Sequence, residues 1–377
     1  MKEHRDGLTR AGDILTGMKT NVAIVPKETK DAHKLPKVDK SEFENRQLNL
    51  FQSFLCNTDE QRDQLSNAID LWDNVPRYSV SRQAMTKARI EGRFLEEHTT
   101  TFQHKGRSYS RTIFPARVVD LDGKSRDYYP SATEELIEQA LRKLAVEQQA
   151  GYFDKPNYRS GVVFTLYALR EELKKRGHTR SYYEIVLALN VLSGTVIEIR
   201  ADHPESGECV TRSTYLPSLV AVSRTKLRDD PKAKWAVQFH PFVTGSIDQV
   251  TYRQFNYHVM MGHSSQLTRW LHQQLVLKYT FADHMKPFET RYSTIKRDSG
   301  LLDAYSRNRA GIEALEQSFR ELKERSVLHG YDRKDVTGPR KKLLDVVFTV
   351  RPSFDFIRET KAANKRQAVA HQSSEKR

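Results

Sequence analysis

Apolar residues recur at helical spacing in several stretches of this chain and alternate with polar ones in others. Leu136, Ala140, Leu141 and Leu144 mark one face of a helix that Ser131 or Thr133 can cap. Glu134 and Glu135 sit in its first turn, where carboxylates suit the helix dipole. Gly161 to Arg176 opens apolar and ends in Arg170, Lys174, Lys175 and Arg176, a second helix that Gly177 is placed to stop. Thr179 or Ser181 starts a third, Tyr182 to Leu192, ended by Ser193-Gly194. Thr195 to Arg200 and Cys209 to Tyr215 follow as strands joined through Pro204 to Gly207. Upstream, residues 58–72 read as a short helix running into a strand from Ile69 to Trp72. Leu95 to Val119 is β-rich, with turns at Lys105-Gly106 and Asp122-Gly123.

Helix, short turn, helix and hairpin is the layout of a winged helix, although a small α+β unit can use the same order simply to pack a core. The order recurs. Trp235 to Phe239 alternates as a strand, and Gln266 to Tyr279 is a helix with Leu267, Trp270, Leu271 and Leu275 on one face. Phe288 to Ser299 carries Arg291, Tyr292, Lys296 and Arg297. A long helix from about Ser306 to Leu328 has the stripe Ile312, Leu315, Phe319 and Leu322. A second hairpin runs from Val327 to Asp332, through a tip at Gly338-Pro339, to Leu343 to Val350. The expected fold is α+β: a flexible arm over 1–60, winged-helix units over 61–222 and 223–355, and a frayed basic tail over 356–377. The arm is polar and Lys-rich.

Charge says what such units would meet. The net charge is +14 with 48 acidic residues present, so this is a folded basic surface rather than a polycation, and it suits a polyanion. The long helix opens Ser306-Arg307-Asn308-Arg309. Arg reads guanine and Asn reads adenine, each through two hydrogen bonds, and helix starts commonly face base edges. Arg307, Asn308 and Arg309 are therefore the base-reading candidates, with Glu313 or Gln317 further along. Arg291, Lys296, Arg297 and the wing residues Arg333, Lys334, Arg340, Lys341 and Lys342 are phosphate candidates. Lys174, Lys175, Arg176 and Arg180 are their counterparts in the first unit. Any one of these cations can equally be a solvated surface charge.

Catalytic chemistry is not expected. Gly12 to Gly17 followed by Met18-Lys19-Thr20 misses a phosphate-binding loop because Met18 intrudes before the Lys. Asp120 and Asp122 beside Gly123 read as a turn rather than a metal pair. No His-x-His occurs among 13 His residues, and His258 and His263 lack nearby carboxylate or Cys partners. Cys56 and Cys209 are too few for a disulfide framework or a Cys-rich zinc site, so no metal or cofactor is expected. Residues 1–12 lack the apolar core of a secretory signal, and no apolar run is long enough to span a bilayer. A cytoplasmic, nucleoid-associated protein is the expectation.

One short string points to a partner. Gln47-Leu48-Asn49-Leu50-Phe51 resembles the peptide with which bacterial replication and repair proteins dock onto the DNA sliding clamp. Leu50 and Phe51 are adjacent anchors for a hydrophobic cleft, and Gln47 is a directional amide for its rim. Asn49 departs from the more usual Ser or Asp. Asn45 to Leu55 can alternatively be an amphipathic helix with Leu48, Phe51 and Leu55 on one face.

Taken together, the chain resembles the iteron-binding, tandem winged-helix plasmid replication initiators over roughly residues 45–355. Tyr182 to Gly194 with its wing carries that resemblance, as does Val250 to Leu302. The latter includes Thr251-Tyr252-Arg253-Gln254-Phe255-Asn256-Tyr257 and Arg291-Tyr292-Ser293-Thr294-Ile295-Lys296-Arg297-Asp298-Ser299-Gly300. The arm with its clamp-type peptide is similar to that of TrfA-type initiators. The resemblance implies binding to direct repeats at an origin and opening of an adjacent A·T-rich segment; lysines of the arm can contact single-stranded DNA there or simply be solvated. It also implies recruitment of a helicase, the host initiator and in some cases the clamp. A monomer–dimer equilibrium and repression of the protein's own gene are implied as well. A winged-helix transcriptional repressor is the alternative, and a nicking enzyme or primase a more distant one.

Overall fold

The computed structural model describes residues 63–91, 94–119, 123–147, 150–203, 207–222 and 232–375. The clamp-type string 47–51, the arm, Cys56, the loop-like stretch 12–20, and Asp120 and Asp122 lie outside these residues. In chain order the elements of the first half are β1 (Leu65–Ile69), α1 (Asp70–Asn74), α2 (Arg82–Ile90), β2 (His98–His104), β3 (Arg107–Phe114), β4 (Ala116–Val119) and β5 (Ser125–Tyr128). Then come α3 (Ala132–Glu147), β6 (Gly151–Asp154), β7 (Arg159–Thr165), α4 (Leu166–Lys175), α5 (Tyr182–Gly194), β8 (Val196–His203), β9 (Gly207–Thr214) and β10 (Ser218–Val222). The second half has β11 (Lys234–Gln238), α6 (Pro241–Asp248), β12 (Tyr252–Asn256), α7 (Tyr257–Met261), α8 (Gln266–Lys278), β13 (Phe288–Arg291) and α9 (Tyr292–Ser299). It closes with α10 (Asn308–Glu324), β14 (Leu328–Thr337), β15 (Leu343–Pro352) and α11 (Phe354–Glu375).

The chain is α+β and builds two winged-helix units. The first joins α3, α4 and α5 to the β8–β9 hairpin. Its starts and stops follow local chemistry: Ser181 and Glu184 form a reciprocal capping box at α5, and Gly177 takes the left-handed φ of 88° after α4. Its hairpin is half of a four-stranded sheet ordered β2-β3-β8-β9. The second unit joins α8, α9 and α10 to the β14–β15 hairpin, and β13 completes a three-stranded sheet ordered β13-β15-β14. Ile312, Leu315, Phe319 and Leu322 bury the stripe of α10 in the core that also takes Val346, Phe348 and Val350 of β15, and the Phe319 and Phe348 ring centroids lie 5.0 Å apart. Truncating one such side chain to Ala costs about 2–5 kcal/mol in cores of this kind.

Several expectations change. The strand expected at Ile69 to Trp72 is β1 at Leu65–Ile69, followed by α1. It pairs with β12, a partner that only the tertiary fold supplies. Gly161 to Thr165 is strand, not helix, because β7 is drawn between β6 and β11. The same sheet runs on from β7 through β11 to β10. The tail expected to fray is the helix α11. Phe356, Ile357, Ala363 and Ala370 are buried, and the polar flank of α11 is taken up by β12. Arg253 donates to Asn364 (2.7 Å) and Gln367 (3.2 Å), and Asn256 donates to Glu359 (2.8 Å).

Polar contacts fasten the two units together. Arg269 on α8 grips Glu135 on α3, Gln266 donates to the Tyr78 carbonyl at 3.0 Å, and the Gln103 N–H of β2 donates to Asp298 of α9 at 3.2 Å. Beneath them lies a buried ionic cluster of Asp73, Arg77, Glu138 and Arg142. Burial alone would raise the Glu138 pKa. Arg77 and Arg142, with hydrogen bonds from Tyr78 and Trp72, instead hold it down at about 2.

Candidate nucleic-acid interface

The second unit carries the larger share of the predicted cations. After α9, Gly300 adopts a left-handed φ of 63° and turns the chain toward α10. Arg307 then occupies the N-cap position of α10 without capping it through its side chain. Arg307, Asn308 and Arg309 are exposed, and their side chains make no hydrogen bond or ion pair among the described residues. Glu313 and Gln317 follow on the exposed face, with Gln317 accepting from Arg320 at 3.1 Å.

The wing stands beside this helix. β13 pairs with β15 only from Val347 to Val350, so the hairpin projects beyond the three-stranded sheet. Arg340 and Lys341 at the tip take left-handed φ of 57° and 58°, and the Gly338 N–H closes on the Lys342 carbonyl at 2.8 Å. Arg340, Lys341 and Lys342 are exposed, as is Lys334 on β14. Arg333 is different. It bonds Glu316 of α10 at 3.0 Å and Asp335 at 2.7 Å, so it braces the wing against the helix rather than offering a bare charge.

α9 is placed by contacts that sequence did not reveal. Gly311 of α10 lets Tyr292 of α9 approach so closely that a Cβ there would lie 2.5 Å from the Tyr292 hydroxyl. Glu321 reaches the start of α8, accepting from the Ser264 N–H, the Ser264 hydroxyl at 3.0 Å and the Thr268 hydroxyl at 2.8 Å. That carboxylate satisfies donors at a helix N-terminus and fixes the far end of α10. An isolated Gly in a helical stripe was a legible hint; Glu321 had none, because its partners lie 53 and 57 positions away. Arg291 is exposed at the N-cap of α9, and Lys296 is half-buried. Arg297 is tied to the buried Asp298 at 2.7 Å.

The first unit differs. Arg176, expected at phosphates, is buried and bonded to Glu172 at 2.9 Å, Asp63 at 3.0 Å and His258 at 2.9 Å. It is a structural tie between α4 and α7, because burying a guanidinium demands such partners. Lys175 pairs with Asp63, whereas Lys174 stays exposed and Arg180 half-exposed. Its third helix, α5, contains no Lys or Arg and shows Tyr183, Glu184 and Asn190 outward. Of the predicted cations in this unit, Lys174 and Arg180 make no ion pair among the described residues.

Among the described residues, no cluster of His, Cys, Asp and Glu is placed to hold a metal, and no helix is long and apolar enough to cross a membrane. No family model matches the chain. No curated protein matches it. Solved structures do. Domains 2 and 3 of RctB, as selenomethionine derivatives, align over 79% of this chain and 99% of theirs, with 11% identity and a TM-score of 0.47. A second RctB structure of those domains aligns over 78% and 99%, with 12% identity and a TM-score of 0.45. The Pi initiator protein in complex with iteron DNA aligns over 78% and 99%, with 12% identity and a TM-score of 0.33. The assignment of two winged-helix units to this chain rests on its own strand register and helix order.

Proposed function

We propose that the chain is a replication initiator of a plasmid or similar replicon, a sequence-specific DNA-binding protein without catalysis of its own. The observation that carries this reading is the second unit's face. Arg307, Asn308 and Arg309 stand bare at the start of α10, beside a projecting wing tipped by Arg340, Lys341 and Lys342. The helix start reads base edges in the major groove and the wing and Arg291 hold phosphates. The first unit adds phosphate contacts through Lys174 and Arg180 and contributes less base reading, because α5 offers no cation.

Binding of direct repeats, with strain passed to an adjacent A·T-rich segment, follows from two units fastened to each other on one duplex. The opened strands are a further ligand. The clamp-type string Gln47 to Phe51 supports delivery to the replication machinery, and the helicase, the host initiator and the sliding clamp are the proposed host partners. A monomer–dimer equilibrium and cytoplasmic action belong to the same reading.

A footprint on the encoding replicon tests it. Protection of spaced direct repeats beside an A·T-rich segment is the expected result. Protection of a lone promoter palindrome would replace the initiator with a repressor, and Mg²⁺-dependent strand cleavage with covalent attachment would replace it with an enzyme.

A further inference from the structure

At the pole of the second unit away from the wing tip, three large apolar side chains stand almost bare. Phe281 is 82% exposed, Met285 87% and Phe354 76%. Phe281 and Met285 stand on the 280–287 loop, and Phe354 on the start of α11, which that loop meets. The His284 ring meets Phe354 with centroids 4.0 Å apart, and the Asn364 amide donates to the Thr280 carbonyl at 2.9 Å. These two contacts lay the loop 280–287 along the first three turns of α11. The loop is held firmly: Tyr279 donates to the Asp283 carbonyl at 3.2 Å and also to that of Lys286, and the Met285 N–H donates to Asp283 at 2.8 Å. The exposure of Phe281 and Met285 is thus built into a braced loop. Together the three side chains expose on the order of 400 Å² of apolar surface, the size of the largest such patch on a typical monomer and one that is often functional.

The flank of this surface is basic. Arg358, Lys361 and Lys365 are spaced three and four residues apart on the exposed side of α11, and Lys286 is exposed on the loop. Arg358 pairs with Asp355 at 2.9 Å, whereas Lys286, Lys361 and Lys365 make no ion pair among the described residues. DNA held by the other face would leave the surface free. β15 runs ten residues from Leu343 near the tip to Pro352 before α11 begins, about 30 Å. The end of α10 lies at that same far pole, since β14 starts there opposite Pro352.

We propose that this surface docks an acidic, amphipathic segment of a protein partner. Its apolar residues would seat on Phe281, Met285 and Phe354, and its carboxylates on Lys286, Lys361 and Lys365. A duplex would gain nothing from the apolar centre. An anionic bilayer would press its charge against Asp283 and Asp355, which stand in the same surface. A second copy of this chain would bring a like stripe of lysines to the contact. A peptide with discrete carboxylates avoids all three penalties, and a few apolar anchors inside a charged rim are how such contacts concentrate their affinity. The proposal does not depend on the DNA reading.

The test uses the full chain and a fluorescent twenty-residue amphipathic peptide with Leu and Phe on one face and Glu on the other. Saturable binding is expected. It should weaken at least tenfold in Phe281→Ser with Met285→Ser, and separately in Lys361→Glu with Lys365→Glu. These positions are exposed, so both variants should keep the parent melting curve. A matched peptide with Lys in place of Glu should not bind, and an excess of duplex DNA should not compete. Absence of saturable binding, equal binding of the Lys peptide, or indifference to both variants overturns the proposal. Competition by duplex overturns it in favour of a polyanion site. Preferential sedimentation with phosphatidylglycerol vesicles overturns it in favour of a membrane.

Discussion

Arg269 closes a two-point ion pair on Glu135, with Nε 3.1 Å from Oε1 and an Nη 2.9 Å from Oε2, and so joins the first helix of one unit to the first helix of the other. Both side chains are largely buried, at 4% and 11% exposure. Arg269→Ala leaves a carboxylate without its partner and should cost about 3–5 kcal/mol. Urea unfolding should show a lowered midpoint and a split transition as the units part. Replacing both residues together, Arg269→Met with Glu135→Leu, should recover most of the loss. A single variant that costs under about 1 kcal/mol would show that other contacts hold the units together.

Gly311→Val should force α9 away from α10, because a Cβ at that position already meets the Tyr292 hydroxyl at 2.5 Å. A cost of about 1–3 kcal/mol is expected, together with weakened duplex binding. That buried hydroxyl has no hydrogen-bond partner, so Tyr292→Phe should be close to neutral. It should also relieve a Gly311→Ala variant, which is read from thermal melts of the single and double variants.

Base reading and phosphate holding separate by salt. Arg307→Ala should cost about 1–3 kcal/mol of DNA affinity and relax preference at one base pair. Lys342→Ala should weaken all duplexes alike and lower the salt-dependence slope by about 1. Arg176→Ala should lower the unfolding midpoint and leave the salt slope unchanged, since that guanidinium is buried among Glu172, Asp63 and His258. Titrations across salt concentrations on repeat and scrambled duplexes distinguish the three.

Acid should destabilise the protein early. Burial pushes His240 and His263 down to about 3 from the ordinary 6.5, with nearby Arg side chains adding to it, and His272 lies well below 6.5 through burial and its contact with His263. A folded-state pKa below the unfolded one means stability that is full above about 6.5 and lost as pH falls from there toward about 3. Each such His steepens the loss by up to about 1.4 kcal/mol per pH unit. Urea midpoints from pH 7.5 to 5 should fall accordingly, and His272→Gln should flatten the slope. A flat profile would mean these rings are protonated in the fold.

Replacing Leu50 and Phe51 together by Ala should abolish capture by a purified bacterial sliding clamp while origin binding stays near normal. If duplex binding or the melting curve fails as well, Gln47 to Phe51 is a core helix and not a docking peptide.

What could be read from the chain was local. The capping box at Ser181, the stop at Gly177, the stripe Ile312, Leu315, Phe319 and Leu322, and the hairpin strands of both wings all have causes within a few residues of themselves. The exposed Arg307-Asn308-Arg309 start of α10 was legible for the same reason, as was the basic wing tip. Arg176 misled because its position in a basic run says nothing of Asp63 and His258, which come to it from other segments.

The sequence by itself determined α3, α5, α8 and α10, the hairpins of both wings, their order and the basic balance of the surface, since periodicity and turn chemistry act over short spans. The tertiary structure decided which strands pair, and that residues 354–375 form a helix on β12 rather than a loose tail. It also decided which cations are neutralised and which stay bare. Those outcomes depend on partners dozens to hundreds of residues away, and a charge or an extended segment is settled only by what the fold brings against it.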